Sequence, residues 1–192
     1  MDYTLISFIS YLIGSIPSGF LLTKIFLKKD IRNIGSGNIG ATNALRTGNK
    51  TIGYTTLILD VSKAVIPIIY IKLNFPEFIY ISSLSIFLGH VFPIWLKFKG
   101  GKGVATYIGI LFSINILYGI IFILSWLIIF VIWRFSSLSS LIATLSIPIF
   151  VLLFDDQNSL FFFLIMFILI FYTHRENIKR LKNKEETKTK IY

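Results

Sequence analysis

The sequence predicts an all-α integral membrane protein with about seven transmembrane helices, two of them short. Of its 192 residues 55% are hydrophobic, and the mean hydropathy of +0.77 exceeds that of ordinary soluble domains. Apolar stretches long enough to cross about 30 Å of hydrocarbon recur along the chain. The alternation of membrane strands is missing, and helices satisfy their own backbone groups where water is absent.

The expected spans cover residues 5–27, 51–73, 78–96, 104–117, 118–133, 138–154 and 159–173. The fourth and fifth are shorter than the ~20 residues of a full span, so they lie in thin bilayer or form a hairpin that does not cross. About five full spans is therefore the alternative topology. No basic region precedes the first apolar stretch, so we expect it to be retained rather than cleaved as a signal peptide. We expect residues 1–192 to form a single polytopic domain.

The basic residues indicate an orientation. All but two of the 19 lysines and arginines lie near segments on one predicted face, the exceptions being Lys63 and Lys72. The opposite segments carry Asp2, Glu77, Asp155 and Asp156. The positive-inside rule then places the N-terminus outside and the C-terminus in the cytoplasm. The net charge of +10 is thus concentrated where anionic lipids or substrates would meet it. For the basic C-terminal run that ends with Lys188, Thr189 and Lys190 we favour a purely topological role.

The first polar segment on that face is GSGNIGATNALR, residues 35–46. Its glycines follow G-x-G-x-x-G, but a dinucleotide-binding turn needs a preceding buried strand, and here a membrane helix precedes. Glycines expose backbone N–H groups, so we expect a small anion-binding nest. Arg46 adds a planar fork that matches phosphate geometry. The other residues expected to bind substrate here are Ser36, Gly37, Asn38, Gly40, Thr42 and Asn43.

The second polar segment is GHVFPIWLKFKGGKGVAT, residues 89–106. Its GGKG core directly precedes a predicted helix, whose N-terminus favours an anion. A Walker A loop needs an earlier glycine and a following Ser or Thr, where this chain has Leu96 and Gly103, so nucleotide hydrolysis is disfavoured. A tight turn that merely joins two helices is the weaker alternative. The residues expected to bind phosphate are Gly100, Gly101, Lys102 and Gly103.

The third polar segment is HRENIKRL, residues 174–181, where the last predicted span ends. His174 and Asn177 would lie side by side on a helix. The histidine is a general base, a phosphate-binding cation or only a polar terminator of the span. Ser137, in a hydroxyl cluster after Arg134, either contacts substrate or helps to cap a helix.

Asp60 and Lys63 lie within the second predicted span, three residues apart. Ionised groups are costly in hydrocarbon, so we expect this pair to face the interior and to order Arg46 or its neighbours rather than to catalyse. His90, near the end of an apolar helix, is either a buried, hydrogen-bonded histidine or part of the site.

Together the three segments resemble, in order and approximate spacing, the cytoplasmic motifs of the bacterial acyl-phosphate:glycerol-3-phosphate acyltransferase family of phospholipid synthesis. The resemblance covers nearly the whole chain. Two departures are visible: Ala64 stands where the family commonly has glycine, and residues 182–185 lack an expected glycine.

The resemblance implies transfer of an acyl group from acyl phosphate to the 1-hydroxyl of glycerol 3-phosphate, giving lysophosphatidic acid and phosphate at the cytoplasmic face of the bacterial inner membrane. We expect a monomer that needs no metal or other cofactor and whose partners are the two substrates and the lipid bilayer, with no nucleic acid. The chemistry requires positioning and charge stabilisation, because an acyl phosphate is already activated. In this hypothesis Lys102, nearby N–H groups and Arg46 hold phosphates. The hydroxyl is oriented by Ser36, Asn38, His174 and Asn177.

A transporter or channel for phosphate-bearing anions is the competing class, since basic glycine turns and an intramembrane ion pair also suit an ion pathway. It is disfavoured because alternating access needs exits to both faces, whereas the polar groups cluster on one. A purely structural membrane scaffold would leave the three segments without a purpose.

Overall fold

A computed structural model describes residues 2–155 and 157–189. Its regular structure is helical, with no strand in either described range. The chain forms two compact units, Met1–Ile114 and Asn115–Tyr192. The predicted fold class, an all-α chain, is therefore confirmed for the described residues.

The first unit contains α1 (Tyr3–Gly14), α2 (Ser18–Phe26), α3 (Ala41–Leu45), α4 (Lys50–Asn74), α5 (Ile79–Val91) and α6 (Val104–Ile114). Polar side chains begin two of the long helices. Asp2 accepts the N–H of Thr4 at the start of α1, and Asn49 accepts the N–H of Ile52 at the start of α4. These bonds satisfy N–H groups that have no partner within a helix.

Pro17 divides the first predicted span. α1 ends at Gly14 and α2 begins at Ser18. Proline has no N–H to donate, and its ring collides with the carbonyl group of the preceding turn. The predicted span over residues 5–27 is thus built from two consecutive helices, and Tyr3–Phe26 as a whole is long and apolar enough for one span.

α1 and α5 approach each other closely at two glycines. A Cβ on Gly14 would collide with the carbonyl oxygen of Ile86, and a Cβ on Gly89 would collide with that of Tyr11. Small residues allow such close backbone contact, which holds helices together where lipid removes the hydrophobic driving force. The hydroxyl of Tyr11 also donates to the carbonyl oxygen of Phe92 at 2.7 Å.

α4 is the central element of the first unit and packs against α6 and α3. Gly109 of α6 faces Ala64 of α4, whose Cβ lies 3.0 Å from where a Cβ on Gly109 would be. Ala64 is fully buried. An alanine at this departure from the family pattern is accommodated because a glycine stands opposite it.

The second unit contains α7 (Ile116–Trp133), α8 (Ser136–Phe154), α9 (Leu160–Thr173) and α10 (Arg175–Lys182). Asn115 begins α7 by accepting the N–H of Leu117 at 2.9 Å. The predicted boundary between residues 117 and 118 is thus two or three residues too late, and asparagine was the signal for the true one. α8 packs against α7 and α9.

Among the residues that the structure describes, four helical stretches are long and apolar enough to cross a membrane: Tyr3–Phe26, Pro76–Leu96, Ile116–Trp133 and Ser136–Phe154. A fifth is reached if Gln157–Thr173 and Arg175–Lys182, bent by 62°, form one broken span. α4 is long, with 25 residues, but more polar, and α6 has only 11 residues. The count of seven spans stays a prediction.

We predict that Gly89→Ala destabilises the protein by about 2 kcal/mol, because the added methyl group must push α5 away from α1. The measurement is thermal unfolding in detergent. Leu84→Val, at a half-buried position of the same helix, serves as the control. An unfolding midpoint unchanged by Gly89→Ala would contradict the close approach of these helices.

Candidate active site

Asn43 organises the first polar segment from within. The two N–H donors of its Nδ2 group are shared among the carbonyl oxygens of Ile31, Ile34 and Asn38, at 3.2, 2.9 and 2.8 Å. Its Oδ1 accepts the N–H of Ser36 at 3.0 Å. The side chain is only 1% exposed. Asn43 therefore folds the loop rather than facing a ligand, which differs from the role expected for it.

Backbone donors of this segment are used inside the loop. The N–H of Gly37 donates to the carbonyl oxygen of Ile34 at 3.0 Å, and the N–H of Gly40 donates to Oδ1 of Asn38 at 2.9 Å. Gly37 has φ 71°, so glycine provides the turn as expected. The expected nest of anion-facing N–H groups is wrong for Gly37 and Gly40, because the loop closes on its own donors.

Several side chains of the first polar segment are accessible to a ligand. Ser36 and Thr42 are exposed, and Asn38 is half-buried. The exposed Arg46 side chain lies over Gly35, where a Cβ would come within 2.8 Å of Arg46 Cδ. No carboxylate pairs with Arg46 among the described residues. Its guanidinium is thus available for an anion.

Arg32, by contrast, is already paired. Its Nη2 lies 2.6 Å from Oδ2 of Asp30. Hydrogen bonds from the Arg32 side chain and backbone lower the pKa of Asp30 from 3.8 to about 2. Of the two arginines around this loop, Arg46 is therefore the better phosphate ligand.

The first and second polar segments meet in the core of the first unit. Leu96, from the second segment, joins Ile39 and Ala44 of the first in one hydrophobic cluster. Ile31 and Ile52 complete it. The structure thus brings together two segments that are separated by α4 and α5 along the chain.

The glycines of the second segment divide into two kinds. Gly100 and Gly101 donate their N–H groups to the carbonyl oxygens of Val91 and His90, at 3.0 and 3.1 Å. The expectation that these two N–H groups face an anion is therefore wrong. Gly103 has φ 85° and precedes α6, whose first-turn N–H groups have no partner within the helix. Lys102 is half-buried just before this helix N-terminus.

Asp60 and Lys63 form the expected interior ion pair, with Nζ 2.9 Å from Oδ1. Lys63 Nζ also lies 2.8 Å from the carbonyl oxygen of Ile16 and 2.9 Å from Nδ1 of His90. The predicted link from this pair to Arg46 is wrong. The pair instead connects the break between α1 and α2 to the end of α5.

His174 both ends α9 and keeps a defined ring orientation. Its backbone N–H donates to the carbonyl oxygen of Ile170 at 3.1 Å, and its Nδ1 lies 2.9 Å from the same oxygen. A carbonyl oxygen only accepts, so the ring proton is assigned to Nδ1 and the lone pair to Nε2. The buried histidine is therefore a span terminator whose second nitrogen is a hydrogen-bond acceptor.

Glu186 is a candidate site residue that the sequence analysis missed. Its Oε1 accepts from Ser137 Oγ at 2.7 Å and from Asn177 Nδ2 at 2.6 Å. Its Oε2 accepts from Arg180 Nε at 2.7 Å. One carboxylate thus holds both Ser137 and Asn177. The only sequence signal was an acidic residue in a basic tail.

Hydrogen bonding keeps Glu186 ionised. Burial raises the pKa of this carboxyl, but the donors Asn177, Arg180 and Ser137 outweigh burial, so the pKa is lowered from 4.5. The charge is therefore present at neutral pH and fixes the direction of all three hydrogen bonds.

The neighbouring serines show that Ser137 is distinct. Ser139 and Ser140 donate to the carbonyl oxygens of Phe135 and Ser136, one turn earlier in α8. Phe135 occupies the cap position and makes no side-chain capping bond. The interpretation that the cluster caps the helix is therefore wrong. Of the four serines in the cluster, at positions 136, 137, 139 and 140, Ser137 is the one whose hydroxyl donates to Glu186.

Part of the C-terminal tail packs on the second unit. The N–H of Thr189 donates to the carbonyl oxygen of Arg134 at 2.9 Å, and Lys188 Nζ lies 5.9 Å from the centre of the Phe135 ring. Lys184 has φ 60°, a left-handed conformation that glycine adopts at little cost. The tail therefore does more than carry charge. Lys190, like Asp156, lies outside the described residues.

Within the ranges 2–155 and 157–189, no three His, Cys, Asp or Glu side chains are grouped to hold a metal ion. Fold and polar segments together define an α-helical, multi-pass integral membrane protein with basic, glycine-rich loops suited to phosphate-bearing ligands. Residues 4–184 match the family model described as glycerol-3-phosphate acyltransferase. The chain belongs to this family.

Curated relatives extend the match over the whole chain. A glycerol-3-phosphate acyltransferase of Pelagibacter ubique (strain HTCC1062) is 70% identical over 192 residues and covers 100% of both chains. One from Bartonella henselae (strain ATCC 49882 / DSM 28221 / CCUG 30454 / Houston 1) is 49% identical, covering 96% of this chain and 90% of its own.

Two solved structures share the fold. Both are crystal structures of PlsY (YgiH), an integral membrane glycerol 3-phosphate acyltransferase. The glycerol 3-phosphate form has a TM-score of 0.91 and 37% identity, covering 98% of this chain and 96% of that one. The lysophosphatidic acid form has a TM-score of 0.89 and 36% identity, with coverage of 98% and 95%.

We predict that Asn43→Asp disrupts the first polar segment although the side chain keeps its size. A carboxylate cannot donate to three carbonyl oxygens, and the buried charge would face them without a partner, at a cost of about 3 kcal/mol or more. Thermal unfolding and limited proteolysis at residues 31–46 measure the effect. Thr42→Val, at an exposed neighbour, is the control. Equal stability of the two variants would refute the organising role of Asn43.

We predict that Glu186→Gln lowers stability at pH 7 by about 1–2 kcal/mol, because charged hydrogen bonds become neutral ones. The folded-state pKa is lowered, so the stabilisation by the carboxylate is complete above the ordinary value of 4.5 and is lost as the pH falls through the folded-state value. Thermal unfolding from pH 7 to pH 3 should therefore show wild type and variant converging in acid.

Glu185→Gln makes the same charge change at the exposed preceding residue and is the matched control. A difference between Glu186→Gln and wild type that stays constant down to pH 3 would contradict the assignment.

Proposed function

We propose that this protein transfers a fatty acyl group from an acyl phosphate to the 1-hydroxyl of glycerol 3-phosphate. The products are 1-acyl-glycerol 3-phosphate (lysophosphatidic acid) and inorganic phosphate, in the first acylation step of phospholipid synthesis. The match of residues 4–184 to the glycerol-3-phosphate acyltransferase family carries this proposal. Since one family model spans both units, residues 1–192 work as a single acyltransferase domain.

The membrane arrangement is part of the proposal. The protein crosses the bacterial inner membrane about seven times, with an outer N-terminus and a cytoplasmic C-terminus. The distribution of basic residues supports this orientation. Catalysis then takes place at the cytoplasmic face, and the protein works as a monomer.

In the first unit, phosphate groups are held by Lys102, Arg46 and the N-terminus of α6. Arg46 has no carboxylate partner in the described part of the chain, and Lys102 precedes a helix end that favours negative charge. Ser36, Asn38 and Thr42 offer the side-chain hydrogen bonds that the occupied backbone of the loop does not. Gly35 supports this arrangement by leaving room for the Arg46 side chain.

In the second unit, His174 and Asn177 orient the acceptor hydroxyl. With its proton on Nδ1, the His174 ring carries its acceptor lone pair on Nε2. Asn177 and Ser137 both donate to Glu186, which fixes the orientation of the Asn177 amide and directs the Ser137 lone pairs away from the carboxylate. These side chains are therefore set to accept hydrogen bonds from a polyol such as glycerol 3-phosphate.

The reaction is a single acyl transfer. The 1-hydroxyl oxygen of glycerol 3-phosphate attacks the carbonyl carbon of the acyl phosphate, an ester bond forms, and the bond from that carbon to the phosphate oxygen breaks. The departing phosphate accepts the hydroxyl proton, so no base has to be regenerated. Positioning and stabilisation of the phosphate charge supply the acceleration.

We expect purified protein in detergent or nanodiscs to release phosphate from palmitoyl phosphate only when glycerol 3-phosphate is present, with lysophosphatidic acid as co-product. Palmitoyl-CoA should not replace the donor. Lys102→Ala should reduce kcat/KM at least about 100-fold, because a charge beside the reacting phosphate is lost. Lys99→Ala, at an exposed lysine outside the GGKG core, is the matched control and should stay near wild type.

Two results would count against the proposal. Near-normal turnover of folded Lys102→Ala would remove the assigned role of that lysine. Uptake of phosphate into proteoliposomes without any lipid product would favour the transporter instead.

A further inference from the structure

We propose that the buried triad of Asp60, Lys63 and His90 positions the phosphate-binding loop at residues 100–103. The triad lies inside the helical unit and affects substrate affinity through the position of this loop. This inference rests on the proposed function, which gives these three residues no role. Their exposed fractions are 2%, 9% and 3%. Groups that polar are costly to bury unless each is satisfied.

Lys63 is held by three partners. Its Nζ is hydrogen-bonded to the Ile16 carbonyl oxygen at 2.8 Å and to His90 Nδ1 at 2.9 Å. It also lies 2.9 Å from Asp60 Oδ1, an ion pair without hydrogen-bond geometry, since Oδ1 has no hydrogen-bond partner. Three contacts from three different elements together restrict the position of the ammonium.

That geometry fixes the imidazole of His90. Since Nδ1 accepts from the Lys63 ammonium, the ring is assigned as the neutral tautomer with its proton on Nε2. Asp60 Oδ1 also lies 3.7 Å from Nδ1. The ring is therefore held at one end, and its other edge, with Nε2, points to the loop.

Gly101 lies directly on that edge. A Cβ added to Gly101 would collide with Nε2, Cε1 and Cδ2 of His90, and these are the three atoms nearest to it. Gly101 does not have positive φ, so the His90 ring rather than the backbone conformation requires glycine there. The N–H of Gly101 donates to the His90 carbonyl oxygen at 3.1 Å. Lys102, the next residue, is thus attached to a fixed support.

Gly100 makes a different contact. A Cβ on Gly100 would collide with the carbonyl oxygen of His90 and with Pro93 Cδ, and would lie 2.5 Å from the carbonyl oxygen of Val91. None of these atoms belongs to the His90 ring, so His90→Ala leaves all three in place. The two adjacent glycines therefore provide a matched pair for testing the support by the His90 ring.

The first test combines substitutions at the two glycines with His90→Ala. Gly101→Ala should raise the KM for glycerol 3-phosphate about tenfold or more with a smaller change in kcat, because binding is lost without a change in the chemistry. In the His90→Ala background, Gly101→Ala should have little further effect, since the ring it meets is gone. Gly100→Ala should raise the KM for glycerol 3-phosphate by the same factor in the His90→Ala background as in the wild-type background.

The second test removes both interior charges together. Asp60→Asn with Lys63→Met leaves no unpaired buried charge, so the fold should survive. We expect KM for glycerol 3-phosphate to rise about fivefold or more, with kcat within about threefold of wild type. Lys72→Met is the matched control, because Lys72 lies on the same helix but donates to the carbonyl oxygens of Ser113 and Ile114.

The outcomes separate the two proposals. If wild type forms lysophosphatidic acid but the KM of the interior double variant equals that of Lys72→Met, the positioning role is wrong and the function stands. The positioning role is also wrong if Gly101→Ala raises the KM for glycerol 3-phosphate by the same factor with and without the His90 ring. If wild type forms no product, the proposed function itself fails. Gly101→Ala alone could fail to fold. In that case, recovery of folded protein when His90→Ala is added, with a raised KM for glycerol 3-phosphate, supports the proposal that the His90 ring positions the loop. Failure of the double variant to fold overturns it.

Discussion

The burial of one ammonium group constrains the first unit more than any other interaction. The buried Lys63 ammonium needs compensating partners, and the ion pair and two hydrogen bonds that compensate it come from α4, from α5 and from the break before α2. An interruption that would otherwise expose backbone polar groups to hydrocarbon thereby becomes a point of attachment. In the proposed arrangement, His90 in turn fixes the position of the loop before α6, because its ring and its carbonyl oxygen both contact Gly101.

In the proposed site, anion recognition relies on side chains more than on the backbone. The glycine-rich segments have the turn geometry of a nest. The N–H groups of their glycines nevertheless donate hydrogen bonds within the protein, as at Gly37, Gly40, Gly100 and Gly101. Those bonds hold each loop in one shape. Under the proposed mechanism, that shape determines where Arg46 and Lys102 meet the phosphates, and ordering the two side chains in advance lowers the entropy cost of binding.

Hydropathy was sufficient to predict the all-α class, though not the exact start of α7, and spacing on a helix predicted the contact between Asp60 and Lys63. The break at Pro17 and the cap at Asn115 were also readable from residue type. The bonds of Asn43 were not, because its four partners depend on the closed shape of the loop. Glu186 was unpredictable for another reason: it meets Ser137 across 49 positions of chain, and only the packing of the second unit brings them together.

α6 has 11 residues, so it measures about 16 Å along its axis, roughly half of a hydrocarbon core. A helix this short brings its polar N-terminal loop below the level of the headgroups or thins the lipid around it. An acyl donor dissolved in the membrane would then arrive by lateral diffusion in two dimensions, while the acceptor arrives from the aqueous volume. The relevant donor concentration is its mole fraction in the lipid, and dilution of the membrane with inert lipid should slow turnover even when the bulk amount of donor is unchanged.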